Sequence, residues 1–154
     1  MAEVSLLVLD IDGVLTNGEV ILDEDGREAK SLFFRDIDAV FAARRAGLRI
    51  VLVTGEDTPI VDAIARKLGI AEVYRNQRDK LAALEALDVP LENVCYVGDA
   101  ARDAPALAAV GLGLVPADAA AEAVAAADRI LERSGGRGAV GEAIAVVLAT
   151  RAAA

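Results

Sequence analysis

Four apolar residues, Leu6 to Leu9, run without interruption into Asp10-Ile11-Asp12-Gly13. A short continuous apolar run closed by a turn signal reads as a strand buried on both faces, as a parallel sheet requires. Open α/β sheets carry their ligands beyond the carboxyl ends of such strands. Asp10 and Asp12 stand at that end, and a turn at Asp12-Gly13 lets both carboxylates converge on one point. Two convergent carboxylates suggest a hard divalent cation. Either aspartate alone reads equally well as a turn former or helix cap. Asp-x-Asp-Gly also opens helix–loop–helix calcium sites, but here the flank is a strand and the remaining ligand positions are missing.

The rest of the chain alternates short apolar runs with helical patterns. After the first strand, Val20–Leu22 and Ala29–Phe34 flank an Asp-Gly turn and predict a hairpin inserted at about 18–34. Its apolar residues, Leu32, Phe33 and Phe34 among them, need a cover, for which another subunit is the reasonable guess. Asp36 is placed to cap a helix over 37–46, stopped by Gly47. A buried strand over 49–53 ends in Thr54-Gly55, and Thr58 caps a helix with Pro59 at its first position and Gly69 at its end. A short strand at 72–74, a helix over 79–87 carrying Lys80 in its first turn, and a strand over 93–97 ending in Gly98-Asp99 follow. Further on, the pattern predicts a helix at 104–110, a strand at 112–115, an Ala-rich helix at 117–127, a weak strand at 129–131 and a last helix over 139–149. This alternation predicts one domain over 1–154: a Rossmann-like, doubly wound parallel α/β sheet without a cap domain, ending in a tail from about 134. No GxGxxG follows the first strand, so a dinucleotide fold has little support.

Charge and composition narrow the chemistry. With 25 acids against 16 bases the net charge is -9, which argues against nucleic acid or an anionic membrane as partner. An anionic substrate is also repelled at long range, so a phosphate site needs local cations. The chain has no histidine, which removes the commonest general base and leaves acid–base work to carboxylates or lysine. Cys95 is the only cysteine and lies in an apolar strand, as expected for a packed thiol in a cytoplasmic protein. No apolar run approaches the roughly 20 residues of a membrane span, and early acids at Glu3, Asp10 and Asp12 do not suit a signal peptide.

Successive strand ends thus offer Asp10 and Asp12, then Thr54, then Lys80, then Asp99, with Asp103 four residues further on. Phosphoryl transfer needs a nucleophile, a hard cation and donors for the phosphate oxygens. Asp10 can attack phosphorus, Asp12 can move protons, Asp10 and Asp99 can hold magnesium, and Thr54 and Lys80 can complete a phosphate cradle. Singly, Thr54-Gly55 reads as a loop, Lys80 as a solvated helix residue and Asp103 as a cap. Their conjunction in this order is what carries the reading.

At these residues the chain resembles the haloacid dehalogenase superfamily of phosphatases. Its four motifs are matched by Asp10-Ile11-Asp12-Gly13-Val14-Leu15-Thr16, by Thr54-Gly55, by Lys80 and by Gly98-Asp99 through Asp103. The resemblance implies magnesium and an aspartyl-phosphate intermediate. It implies Asp10 as nucleophile, Asp12 as acid/base, and Asp10, the Asp12 carbonyl and Asp99 at the metal, with Asp103 holding Lys80 or a metal-bound water. The chain is most similar to the capless branch that dephosphorylates 3-deoxy sugar-acid phosphates. It shares the hairpin, the Lys30…Arg35-Asp36 segment, the Thr-Gly-Glu element and the tail Ser134-Gly135-Gly136-Arg137-Gly138-Ala139-Val140. In that branch the hairpins assemble a homotetramer whose neighbouring subunits cover the active site. Gly55, Glu56, Lys67, Arg35 and Arg137 are then the implied substrate contacts.

Eight-carbon members carry Arg where this chain has Glu56; Glu56 and Lys67 resemble the branch acting on nine-carbon deoxynonulosonate 9-phosphates. An exposed helix-start residue is the plainer account of Glu56. Ile64, Phe33, Phe34, Ala100 and Gly141 depart from the branch pattern, the last replacing an arginine expected to help hold a substrate carboxylate. The catalytic set is complete while the substrate set is eroded. A broad-specificity phosphatase, a receiver-like signalling domain and a catalytically idle tetrameric scaffold are the rival readings. A receiver would place its acceptor aspartate on a middle strand, whereas here the pair ends the first.

Overall fold

The computed structural model describes residues 2–153. β1 (Leu6–Leu9) has no solvent exposure at any position and lies in the interior of a six-stranded parallel sheet. It pairs on one side with β4 (Arg49–Val53), Leu9 opposite Leu52, and on the other with β6 (Val94–Val97), Leu9 opposite Val97. The order is completed by β5 (Val73–Tyr74) beyond β4, and by β7 (Leu112–Val115) and β8 (Arg129–Ile130) beyond β6.

Alternation along β1 sorts its side chains into two layers, because successive strand residues face opposite ways. Leu7 and Leu9 join Ile50, Leu52, Cys95 and Val97 in one core. That core is closed by α1 (Phe34–Arg45), α2 (Pro59–Leu68) and α6 (Ala139–Ala153). Leu6 and Val8 join Val51, Val53, Val94 and Tyr96 in a second. There the closing helices are α3 (Lys80–Glu85), α4 (Ala104–Ala109) and α5 (Ala121–Ala126). This is the expected doubly wound α/β sheet. The chain leaves β1 towards β4 on one side and later returns to β6 on the other, so a crevice opens above the carboxyl end of β1. Among the described residues, no cap domain is inserted between these elements, and no helix is long and apolar enough to cross a membrane.

Several local expectations change. The predicted hairpin strands shrink to β2 (Ile21–Leu22) and β3 (Glu28–Ala29), with Ile21 opposite Ala29. The turn is held by the Asp23 carboxylate, which accepts the N–H groups of Asp25 and Arg27, and by Gly26 at φ +78°. Leu32 packs onto the chain's own core, whereas Val20, Ile21, Leu22 and Phe34 remain exposed. The Ala-rich helix forms only over Ala121–Ala126. Thr58 precedes α2 without making a side-chain cap, and its Oγ1 is buried without a partner among the described residues.

Asp36 is not the cap of α1; the helix starts earlier, after Phe33. Asp36 is buried in its first turn, and its carboxylate accepts the N–H of Gly141 at 2.8 Å and of Gly138 at 3.3 Å. It therefore caps α6, a hundred residues away in sequence, by satisfying donors that a helix start leaves free. The same loop presses on the turn after β1. A Cβ on Gly135 would lie 1.9 Å from the Gly13 carbonyl oxygen, and the Gly136 N–H donates to Val14 O at 3.1 Å. Asp36→Ala leaves two partly buried N–H groups without their acceptor and is expected to destabilise the protein by about 2 kcal/mol, measurable by urea unfolding. An unchanged midpoint would mean that solvent replaces the carboxylate.

Candidate active site

The turn that follows β1 is built to aim two carboxylates. Asp10 continues the sheet, its N–H donating to Val97 O at 3.1 Å, and its Oδ1 accepts the Ile11 N–H at 2.9 Å. The chain then makes one wide turn over 11–15, closed by the Thr16 N–H on Ile11 O at 3.1 Å, with Gly13 at φ +82°. The buried Thr16 Oγ1 accepts the N–H groups of Gly13 and Gly18, both at 3.2 Å. A side chain at Gly13 is excluded twice over. The backbone is left-handed, and a Cβ would fall 1.8 Å from Asp99 Oδ2.

Lys80, at the first position of α3, reaches beneath this turn and is almost wholly buried. Its Nζ lies 3.3 Å from Asp10 Oδ1 and 3.3 Å from Asp103 Oδ1. Asp103 Oδ1 also accepts the Tyr96 hydroxyl at 2.9 Å, and Oδ2 accepts the N–H groups of Asp99 at 3.0 Å and Ala100 at 2.9 Å. Asp12 points the other way, with its Oδ1 2.6 Å from Nζ of Lys30 at the root of the hairpin. Lys30 is itself a largely covered side chain. Thr54 is buried, and its Oγ1 accepts the Glu56 N–H at 3.1 Å, which leaves the hydroxyl proton free to donate.

Burial raises the Asp10 carboxyl to about 7; Lys80 opposes that rise, and Asp103 and Asp99 add to it. Burial likewise raises Asp99 to about 6, reinforced by Asp103 and opposed by Lys80 and Arg102. For Asp103 burial also acts upward, but Lys80, the Ala100 and Asp99 N–H groups and the Tyr96 hydroxyl together hold it below the usual range. The Tyr96 hydroxyl is pushed well up by burial and by the surrounding carboxylates, so it stays a donor.

A cavity of about 270 Å³ opens over this cluster, lined by Asp10, Asp12, Thr54, Gly55, Glu56, Arg78 and Arg102. Six of the sequence-predicted residues, Asp10, Asp12, Thr54, Lys80, Asp99 and Asp103, thus surround one point, with Gly55 and Glu56 at its wall. Three do not join them within one chain. Lys67 is exposed on α2, 5.4 Å above the ring of Phe34. Arg35 and Arg137 line a separate cavity of about 400 Å³ with Phe33, Asp36 and Gly141. Sequence reasoning gave no role to Lys30, Tyr96, Thr16, Arg78 or Arg102. Thr16 and Lys30 lay within the matched segments without a role of their own, and Tyr96, a hydroxyl in an otherwise apolar strand that needs a buried partner, was a further signal.

Carboxylate oxygens of Asp10, Asp99 and Asp103 lie within 4.8 Å of one another. Both oxygens of Asp103 already accept two donors each, so Asp10 and Asp99 are the members with lone pairs to give. Among the described residues the Asp99 carboxylate accepts no hydrogen bond. Two acids half-buried or deeper, short of cationic partners and offering only oxygen, fit a hard divalent ion such as magnesium.

The comparisons identify the family. The pattern of haloacid dehalogenase-like hydrolases matches residues 27–111. The chain belongs to that family. It is 36% identical over 149 residues, 94% of its length and 79% of the relative's, to a 3-deoxy-D-manno-octulosonate 8-phosphate phosphatase of Salmonella typhi. It superposes with a TM-score of 0.91 on the Moraxella catarrhalis enzyme of that name, solved with magnesium, phosphate and the sugar acid. The two are 30% identical, and the match covers 97% of this chain and 88% of the other. A cobalt-bound Haemophilus influenzae phosphatase of the same class gives a TM-score of 0.90 at 30% identity, covering 97% of this chain and 90% of that one.

The raised acids set a pH signature. Between about pH 4 and about pH 7 the metal-free fold binds more protons at Asp10 and Asp99 than the unfolded chain does. Their contribution to stability therefore falls as pH rises through that window. Asp103 has the opposite sign, losing its contribution only as acid protonates it. Magnesium competes with the protons, so it is expected to raise the melting temperature more at about pH 7.5 than at about pH 5.5. Thermal scans with magnesium or chelator check this; an equal shift at both pH values would place the metal elsewhere.

Proposed function

We propose that this protein is a magnesium-dependent phosphomonoesterase acting on a 3-deoxy-octulosonate 8-phosphate type of sugar acid. The observation that carries the reading is the shared cavity of Asp10 and Asp12, with Lys80 beneath it. Asp10 attacks phosphorus, forming an aspartyl phosphate as the bond to the sugar oxygen breaks, and Asp12 gives that oxygen its proton. Asp12 then takes a proton from the water that attacks phosphorus, and inorganic phosphate leaves as the Asp10 carboxylate re-forms. The Thr54 hydroxyl and the Lys80 ammonium donate to phosphate oxygens. Lys30 fixes the orientation of Asp12, and Asp103, held by Tyr96, keeps Lys80 beside Asp10. Magnesium, held by Asp10 and Asp99 with the Asp12 carbonyl, would neutralise phosphate charge.

The named relatives support the eight-carbon substrate. Glu56 favours a second reading, the nine-carbon deoxynonulosonate 9-phosphate, because its carboxylate stands at the cavity wall where it can accept hydrogen bonds from sugar hydroxyls. Phosphate release from both sugar acids and from an aryl phosphate tests the reading. The expected result is turnover of a sugar-acid phosphate that needs magnesium and falls by at least about a thousandfold in Asp10→Asn. Retained activity in that variant would remove Asp10 as nucleophile, and a flat profile over all phosphates would favour a broad-specificity enzyme.

The proposal includes a cytoplasmic homotetramer built on the hairpins. Val20, Ile21, Leu22 and Phe34 are 46%, 69%, 57% and 69% exposed, and a two-stranded hairpin with an apolar face is marginal in water unless covered. Lys67, Arg35 and Arg137 would then meet substrate across a subunit boundary. Light scattering is expected to give about four times the 15.9 kDa chain mass, and Ile21→Asp with Leu22→Asp to lower it. A monomeric parent protein at micromolar concentration would end this part of the proposal.

A further inference from the structure

The carboxylates in and around the catalytic cavity outnumber the two lysines paired with them. Asp10, Asp12 and Glu56 line it, and Asp99 and Asp103 stand beside it. Lys80 is paired with Asp10 and Asp103, and Lys30 with Asp12. Among the described residues, the cations on its wall are Arg78 and Arg102. Both are exposed, and neither forms an ion pair among the described residues, unlike Arg49 and Arg75 on the outer surface. Arg78 follows β5 and Arg102 follows β6, and in the sheet these two strands flank β4 and β1, which carry Thr54 and Asp10. The two guanidiniums therefore approach the cavity from loops on either side of the reacting centre.

An exposed arginine that forms no ion pair at the mouth of an acidic cavity is free to recognise an anion, and its planar fork suits a carboxylate or phosphate bidentately. The phosphoryl group undergoing transfer already has Thr54, Lys80 and the metal. We propose that Arg78 and Arg102 are specificity residues that bind a second anionic group, the carboxylate at the far end of the phosphomonoester. This rests on the proposed function, and it names the residues of this subunit that select an acid over a neutral sugar phosphate. The pair also gives an acidic chain the local cations that let a multiply charged anion approach.

The test is steady-state kinetics on the full chain with magnesium, comparing 3-deoxy-octulosonate 8-phosphate with 4-nitrophenyl phosphate. In the double variant Arg78→Ala, Arg102→Ala the ratio of kcat/KM for the sugar acid over the aryl phosphate is expected to fall by about tenfold or more, mainly through KM. Circular dichroism checks that these surface substitutions leave the fold intact; if the double variant does not fold, the single variants carry the comparison. An equal loss on both substrates would mean that the arginines serve the transferred phosphoryl group, and would overturn the proposal. If the wild-type protein turns over the aryl phosphate but neither the eight- nor the nine-carbon acid, the substrate reading fails separately. Glycerate 3-phosphate and glycerol 3-phosphate, which differ by one carboxylate, then decide. A wild-type preference for the acid that the variant loses upholds the role of the arginines, and no such preference rejects it.

Discussion

A lysine almost entirely withdrawn from water, held between two buried aspartates, is the interaction on which the site depends. Lys80 is 1% exposed, and the side chains of Asp10 and Asp103 are 5% and 0% exposed. Burying such charges is unfavourable unless each is paired and hydrogen-bonded. Asp103 meets that condition with four donors; Asp10 has only the Ile11 N–H and a shared lysine. The asymmetry divides their roles. Asp103 is fixed and charged, whereas Asp10 is left under-compensated, its affinity for protons raised and its free lone pairs facing the cavity. A group so placed gains from meeting a cation or an electrophilic phosphorus, and Asp99 strengthens the demand for the cation.

The surroundings hold this arrangement in place from three directions. Sheet pairing to Val97 sets the position of Asp10, and the Thr16 hydroxyl closes the turn that carries Asp12. From outside the sheet, Gly135 and Gly136 press against that turn, in a loop anchored by Asp36 at the start of α6. The hairpin adds the third contact through Lys30. A hairpin that makes only four ladder-forming residues and exposes its apolar face thus still touches Asp12. Its own order and the orientation of the Asp12 carboxylate are consequently linked.

What the sequence disclosed follows from how each part is specified. The doubly wound sheet was legible because its central strands are apolar runs closed by polar or glycine punctuation, Asp10, Thr54 and Asp99 were legible because they sit at those closures, and Lys80 because it opens the next helix. Asp36 was misread: its position before an apolar helical pattern matches a local cap, while its real partners lie more than a hundred residues away. Arg78 and Arg102 gave no signal. Each is exposed in its own neighbourhood, and its place at the cavity wall appears only when segments following different strands meet. The hairpin strands at 20–22 and 29–34 form over fewer residues than their apolar pattern predicts, because among the described residues β2 and β3 pair only with each other.

The same distinction separates chemistry from selectivity in this molecule. Asp10, Thr54 and Asp99 are carried by strand ends whose register is fixed by burial on both faces, so a one-residue slip would invert the whole core. Residues positioned to read the rest of a substrate, Glu56, Arg78 and Arg102, lie on exposed loops, and Lys67, Arg35 and Arg137 lie outside the catalytic cavity altogether. Changing any of these leaves the core packing untouched. A scaffold organised this way can keep Asp10 and Asp12 constant while its loops and subunit contacts vary. Of the departures, only Glu56 stands at the wall of the cavity that holds Asp10; Ile64 is packed in the core and Gly141 lines the separate cavity.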